Sequence, residues 1–349
     1  SVDSARKQFF IAVASTVLSL IVPVFIRKVG FVRKMYPFFA VCGIAALLLV
    51  AVVGSTSYGA KISISIAGIS LQPSEFVKIA FVFFVAGMLY QKTDFRQVCI
   101  TSAVAAVHVL ILVFSKDLGA AFLLFVTYVV MLYVASRKLL YFAGGLAAGS
   151  VASVVAYHIF SHIRVRVLAW KNPLGYIDKE GYQVSQSLFA IGTGGWLGMG
   201  LYQGIPDKIP VVKQDFIFSA IAEELGGIFA LCLILVCFSC FLMFMNIAMQ
   251  MKDQFYKLVA LGLGTVYATQ VFLTIGGATK FIPSTGVTLP LVSYGGSSLL
   301  CSMIIFAIIQ GLYILRQDEG ERNEPKVRNY RKTGRKKTGF EKADIEDFS

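Results

Sequence analysis

"QPSEFVKIAFVFFVAGMLY", residues 72–90, decides how the rest of the chain is read. From Ile79 to Tyr90 it carries no charge, which is the composition of a segment that lies in lipid. Its first turn is different, with Pro73, Glu75 and Lys78. A charged side chain at the middle of a bilayer costs roughly 2.5–3.5 kcal/mol on insertion scales. One reading is an ordinary helix start, with Pro in the first turn, Glu at the positive end of the helix dipole and an i,i+3 ion pair. It accounts for Glu75 better than for Lys78, because a cation prefers the other helix end. The alternative is that both charges line a polar cavity at the edge of the membrane.

The rest of the chain supports a membrane setting. Of 349 residues, 57% are hydrophobic and 15% charged, and the mean hydropathy is +0.74. A soluble domain carries about 25% charged residues. The apolar runs are long and unbroken, which points to helices rather than the alternating segments of a β-barrel. The expected fold class is therefore an all-α polytopic membrane protein. The net charge of +13 does not imply nucleic acid, since ten of the 32 Lys and Arg lie in the last 34 residues and others sit between apolar runs. Six Cys are scattered, and the Cys237–Cys240 pair lies inside an apolar run without a nearby His, so all six read as small apolar filler.

Nine spans are expected, at about 8–26, 36–54, 73–90, 98–115, 118–135, 139–160, 216–245, 256–277 and 296–315. The loops 27–35, 91–97, 136–138 and 246–255, with Lys257, hold ten Lys and Arg, against three (Lys61, Lys116 and Lys280) in the short loops of the other side. Basic loops face the cytoplasm. Residue 1 is then outside, which leads to the expectation of one further span ahead of it and ten in the intact protein. Residues 1–316 form one membrane domain. Residues 317–349 are polar and mixed in charge, and are expected to be a disordered cytoplasmic tail.

The outer loop 161–215 is long and holds Trp170, Pro173, a Gly-rich amphipathic stretch from Ser187 to Gly200, and Asp215. Loops of that length are uncommon unless functional. Asp117 and Asp215 can each be a plain helix N-cap. Glu223 and Glu224 lie two turns into an apolar helix and must face protein or water. Residues 283–298, "PSTGVTLPLVSYGGSS", hold two Pro and three Gly and cannot form a continuous helix, so a re-entrant loop is expected. Taken together, Glu75, Asp117, Asp215 and this loop describe a polar cavity at the outer face, able to hold a cation and a phosphate.

The ordered set "LQPSEFVKIA", "KDLGAA", "GYQVSQSLFAIGTGGWLGMG", "DFIFSAIAEELG" and "TGVTLPLVSYGGSS" resembles the SEDS family, the RodA/FtsW/SpoVE group. The resemblance covers residues 8–315 and implies a ten-span fold whose second to tenth spans are the nine seen here. It implies a peptidoglycan glycosyltransferase that polymerises lipid II at the outer leaflet of the bacterial cytoplasmic membrane, beside a class B penicillin-binding protein. It places the catalytic acid at Asp215. It places substrate-binding groups at Lys78, Arg166 (with Arg164 the alternative), Tyr182, Gln183, Gln186, Ser187, Ser293, Gly295 and Gly296. Glu75, Asp117 and Asp215 are the candidate metal ligands, and their hard oxygens suit Mg²⁺ or Mn²⁺. Two departures stand out. Residues 209–215 read Ile-Pro-Val-Val-Lys-Gln-Asp where members often read Leu-Pro-Glu-x-x-Thr-Asp, and residues 65–70 lack an aromatic-basic pair. A lipid flippase is the alternative, but it needs a polar path reaching both faces.

Overall fold

The computed structural model describes residues 2–28, 30–57, 60–66 and 69–318. The tail expected at 317–349 lies, from 319 onward, outside the described residues. The helices are α1 (Val2–Lys28), α2 (Tyr36–Val53), α3 (Pro73–Leu89), α4 (Phe95–Phe114), α5 (Leu118–Ser136), α6 (Leu139–Ile159), α7 (Ser161–Lys171), α8 (Tyr182–Gly194), α9 (Ile217–Gln250), α10 (Gln254–Ala278) and α11 (Gly296–Asp318). Each expected span falls on a helix, with ends that differ by up to six residues, and α7 and α8 lie in the long loop 161–215. Eight of the helices are long and apolar enough to cross a membrane. The helix at the place of the third expected span, α3, has 17 residues. It is about 25 Å long, short of a hydrocarbon core of about 30 Å.

That shortfall has a reason. Helix α3 is an interior helix, buried from Pro73 to Leu89 on nearly every face, with Phe81, Val82, Val85 and Ala86 fully enclosed. It packs against α2, α4, α5 and α10. Helix α10 is the other axis of the bundle, with Leu258, Val259, Ala260, Leu263 and Val266 fully enclosed. A Cβ at Gly262 would stand 2.7 Å from both Met131 Sδ and Val82 Cγ1, so this glycine sets how closely α10, α5 and α3 approach. In lipid such close packing, rather than escape from water, holds helices together. The outer helices α1, α6 and much of α9 present Phe9, Leu20, Leu140, Val151, Leu235 and Phe238 outward, as a lipid-facing surface requires.

The all-α expectation needs one correction. Between α2 and α3 lie three short antiparallel strands in the order β1 (Ser55–Ser57), β2 (Ala60–Ile66) and β3 (Ile69–Leu71). Residues 61–66 read Lys-Ile-Ser-Ile-Ser-Ile, an alternation of period two that favours a strand over a helix.

Two irregular features position the site. Residues 281–295 form no helix or strand, as their Pro and Gly content predicts, and α11 starts at Gly296. Protein covers this segment: Thr274 Oγ1 donates to the Val287 carbonyl (2.9 Å) and Gln270 Nε2 to the Thr288 carbonyl (3.0 Å). The second feature is a break in α9 at Gly226, where φ is 86° and ψ is 169°. At the opposite end of α9, Arg33 pairs with Asp253 at 3.2 Å, which brings the two basic turns around 30–34 and 251–253 together.

Candidate active site

Asp215 closes a compact turn ahead of α9. Ile209, Val212 and Phe216 drop into an apolar cluster and pin that turn from below. The Gln214 carbonyl accepts from Ser293 Oγ (2.6 Å), and the Lys213 carbonyl accepts from the Tyr294 N–H (2.7 Å). These two bonds lash the Asp215 turn to the non-helical 281–295 segment. Ser293 also takes the Leu289 N–H at 2.8 Å and is 3% exposed. The hydroxyl of Ser293, expected to bind substrate, is thus engaged in holding the loop.

Arg166 comes from α7, and its Nη1 donates to the Ser284 carbonyl at 3.0 Å. The alternative, Arg164, is exposed. Gly286 lies between Arg166 and Asp215. A Cβ built there would stand 3.7 Å from Asp215 Oδ2 and 3.9 Å from Arg166 Nη2. Its φ of +78° is a conformation that L side chains adopt rarely, so glycine both permits the turn and leaves the space open.

Burial pushes the Asp215 carboxyl up to about 6, against the pull of the Arg166 guanidinium, and the nearby charge of Asp117 adds to the rise. Burial lowers Arg166 from its ordinary value, while Asp215 and Asp117 draw it back. His162, one turn before Arg166, is held below its usual range by burial and by the charges of Lys116 and Arg166. The site is thus an acid facing a small basic cluster, and Asp215 receives no hydrogen bond from any described residue.

The other acids are engaged. Asp117 caps α5, taking the Ala120 N–H (3.1 Å) and the Ser74 hydroxyl (3.0 Å). Burial raises its carboxyl, and those two donors oppose the rise. Glu75 pairs with Lys78 Nζ at 2.8 Å, and the same Nζ donates to Gln270 Oε1 at 2.8 Å. Among the described residues no three His, Cys, Asp or Glu side chains gather to hold a metal ion. Glu75, Asp117 and Asp215, the candidate metal ligands, thus do not form one three-ligand cluster among the described residues.

Several expected binding residues stand apart from the gap. Lys78 is 3% exposed and has two protein partners, so it is not placed to meet a phosphate. Ser187 is fully buried, donating to the Ala278 carbonyl (2.7 Å) and meeting Ser219 Oγ (2.6 Å), so it stitches α8 to α9 and α10. A Cβ at Gly296 would meet Ile11 Cδ1 at 2.7 Å, so Gly296 serves the approach of α1. Gly295 has ordinary space around it. Tyr182 is exposed on the first turn of α8, with Gln183 and Gln186 half-buried behind it. Sequence reasoning missed Gln270, the residue that links Lys78 to Thr288. Its signal was available: a lone amide in an apolar helix needs a partner.

The model of the FtsW/RodA/SpoVE family, described as cell cycle protein, matches residues 2–317. The chain belongs to this family. It is 36% identical over 299 residues to "Peptidoglycan glycosyltransferase RodA" of Mycobacterium bovis, covering 79% of this chain and 64% of that one. It is 36% identical over 275 residues to "Stage V sporulation protein E" of Bacillus subtilis, covering 75% of this chain and 71% of that one. The chain thus spans 64% of the length of the mycobacterial relative. Among solved structures, a chain of a peptidoglycan synthase complex superposes with a TM-score of 0.74 at 21% identity, over 89% of this chain and 90% of that one. The rod shape determining protein RodA of Thermus thermophilus superposes with a TM-score of 0.62 at 20% identity, over 88% of each. Those two likenesses show that the family fold is present.

Proposed function

We propose that this chain is a peptidoglycan glycosyltransferase that polymerises lipid II into β-1,4 glycan strands at the outer face of the cytoplasmic membrane. The mycobacterial relative's name supports the activity. The observation that carries the reading is Asp215: a half-buried acid lifted to about 6, without protein donors among the described residues, facing Arg166 across the gap at Gly286.

The acceptor is the GlcNAc 4-hydroxyl of lipid II, and the donor is the lipid-linked MurNAc at the reducing end of the growing strand. The acceptor oxygen attacks the anomeric carbon and forms the new C–O bond. The bond from that carbon to the lipid pyrophosphate breaks, and its electron pair leaves with the pyrophosphate. The hydroxyl proton passes to the Asp215 carboxylate. The α-linked donor gives a β bond, so the centre inverts and one base suffices. A carboxyl near 6 is still ionised at neutral pH yet holds a proton better than an ordinary Asp, which is the compromise a general base needs. The leaving group is an anion, and in this reading Arg166 is the cation that meets it, with Lys116 within electrostatic range of the same cluster.

A flippase reading is less well supported. A flippase needs a polar path reaching both faces, and the interior of α3, α5 and α10 is filled by apolar side chains such as Phe81, Leu124 and Leu263. The same proposal includes a class B penicillin-binding protein as partner. Its test is strand formation from purified lipid II by the Asp215→Asn variant. The swap keeps size but removes the basic oxygen, so turnover should fall by a factor of about 10²–10⁴ with the protein still folded. Activity near that of the unaltered protein would remove Asp215 from the chemistry.

A further inference from the structure

The outer loop holds an element that the proposed chemistry leaves unexplained. From Gly181 to Pro206 the chain has 26 residues and no charge. Its first half is α8. Its second half, Gly195 to Ile205, is an irregular ribbon of turns that displays large apolar side chains: Trp196 is 74% exposed, Leu197 84%, Leu201 62%, Tyr202 91% and Ile205 59%. A loop standing in water would not present such a row.

The ribbon is fixed to α9 at its break. The Gly227 and Ile228 N–H groups donate to the Gly195 and Trp196 carbonyls at 2.8 and 3.2 Å. In return Met199 N–H and Gly200 N–H donate to the Glu223 and Glu224 carbonyls at 2.9 and 3.0 Å. Approach is close enough that a Cβ at Gly198 would fall 2.3 Å from the Glu224 carbonyl oxygen. The ribbon thus satisfies the backbone groups that the break at Gly226 exposes, which is the condition for non-helical backbone at the edge of lipid.

The height of that junction follows from α9 itself. From Leu225 to Met251 the chain is uncharged, and the amide of Asn246 marks the approach to the far end. Counting back the roughly 20 residues that a hydrocarbon core requires brings the near boundary to Gly226. Beside the junction, Ile228 and Phe229 are about half exposed on the outward face of α9, so the apolar side chains of the ribbon continue a lipid-facing surface.

We infer that residues 195–205 lie in the interface of the leaflet at the Asp215 end of the bundle, with Trp196 and Tyr202 at headgroup level and Leu197 and Leu201 among the acyl chains. The occupant of this surface is lipid. Trp and Tyr suit that level because their rings are apolar with one polar edge. The chain leaves the ribbon at Pro206 and reaches Asp215 nine residues later, so the anchor sets the height of the acid over the membrane.

The protein holds two tryptophans, Trp170 and Trp196, which makes the test direct. Trp170→Phe leaves Trp196 as the sole emitter. In proteoliposomes its emission should be blue-shifted, should be largely lost when the phospholipids carry bromine near the carbonyl end of the acyl chain, and should resist aqueous iodide. Quenching by iodide with none from brominated lipid would place the ribbon in water and overturn the inference. Resistance to both quenchers would mean that protein covers it, and would also overturn it. Should Trp170→Phe not fold, Trp196→Phe is compared with the unaltered protein, and the component quenched by brominated lipid should vanish. Its persistence would assign the lipid contact to Trp170 and sink the inference.

Discussion

Replacing Gly286 with Ala tests whether the gap between Asp215 and Arg166 is where the reaction happens. The added methyl would stand 3.7 Å from Asp215 Oδ2 and 3.9 Å from Arg166 Nη2, which is ordinary contact without a clash. The empty site therefore tolerates it. The backbone cost is separate: at φ +78° a Cβ meets the following carbonyl, for about 1–2 kcal/mol. Activity should suffer more, because the methyl fills the space that substrate atoms need between acid and guanidinium. A misplacement of about 1 Å costs on the order of 10²-fold in rate, equivalent to ~2.7 kcal/mol of barrier. The expected result is a folded protein, modestly destabilised in detergent unfolding, whose strand formation from lipid II falls at least about 100-fold. Gly144→Ala is the control, since nothing lies within 4 Å of a Cβ there and the position is an exposed helical one. It should leave turnover intact. Full turnover by a folded Gly286→Ala protein would show that the gap is not the reacting centre, whatever Asp215 does.

Three further outcomes follow from the same geometry. With Asp215 at about 6, kcat/KM should fall as pH drops through that value and level off above it, and a profile without this limb would refute the assignment of Asp215 as base. The folded state binds this proton more tightly than the unfolded chain, so the group adds about 3 kcal/mol below the ordinary carboxylate value of 3.8, lost as pH rises to about 6. Asp215→Asn should remove that part of the pH dependence in unfolding measurements. Gln270→Leu takes one of two partners from Lys78 and the side-chain donor from the Thr288 carbonyl. A lost charge-assisted bond and an orphaned carbonyl together amount to about 2–4 kcal/mol, so an unchanged unfolding midpoint would show that the network does not hold the loop.

The bundle was legible because lipid imposes one rule, about 20 apolar residues per span, and the chain obeys it helix after helix. The break at 281–295 was legible because Pro and Gly forbid the alternative. Asp215 and Arg166 were reached through the resemblance, and the structure brings them to one gap. What sequence could not show is which polar groups are already spent. Lys78, Ser187 and Ser293 all read as plausible binding groups by type and place, yet each has its donors taken by another element more than 70 residues away in the chain. Long-range pairing of that kind leaves no trace in local spacing. The short sheet was readable from the alternation at 61–66, but the strong helical pattern on both sides masked it.

The charges at the start of α3 now have a physical account. A buried ion pair is weak evidence for stability, because taking both charges out of water costs about as much as their attraction returns. Its value lies in geometry. Glu75 fixes Lys78, Lys78 fixes the oxygen end of the Gln270 amide, and the amide must then turn its N–H to the Thr288 carbonyl. Thr288 is two residues from Gly286. The order of the chain Glu75, Lys78, Gln270, Thr288 thus ends at the gap beside Asp215, with each member committed to its neighbour. Asp117 is committed in the same sense, to Ala120 and Ser74. Burial raises the carboxyls of both Asp117 and Asp215, the latter to about 6, but only Asp215 has no donor among the described residues. An acid that holds structure is stabilised as a carboxylate by its donors; one left without donors, in a dry place beside a cation, is poised to take a proton from something that is not protein. In the proposed reaction the charges of α3 would act at a distance, by keeping that place the right size.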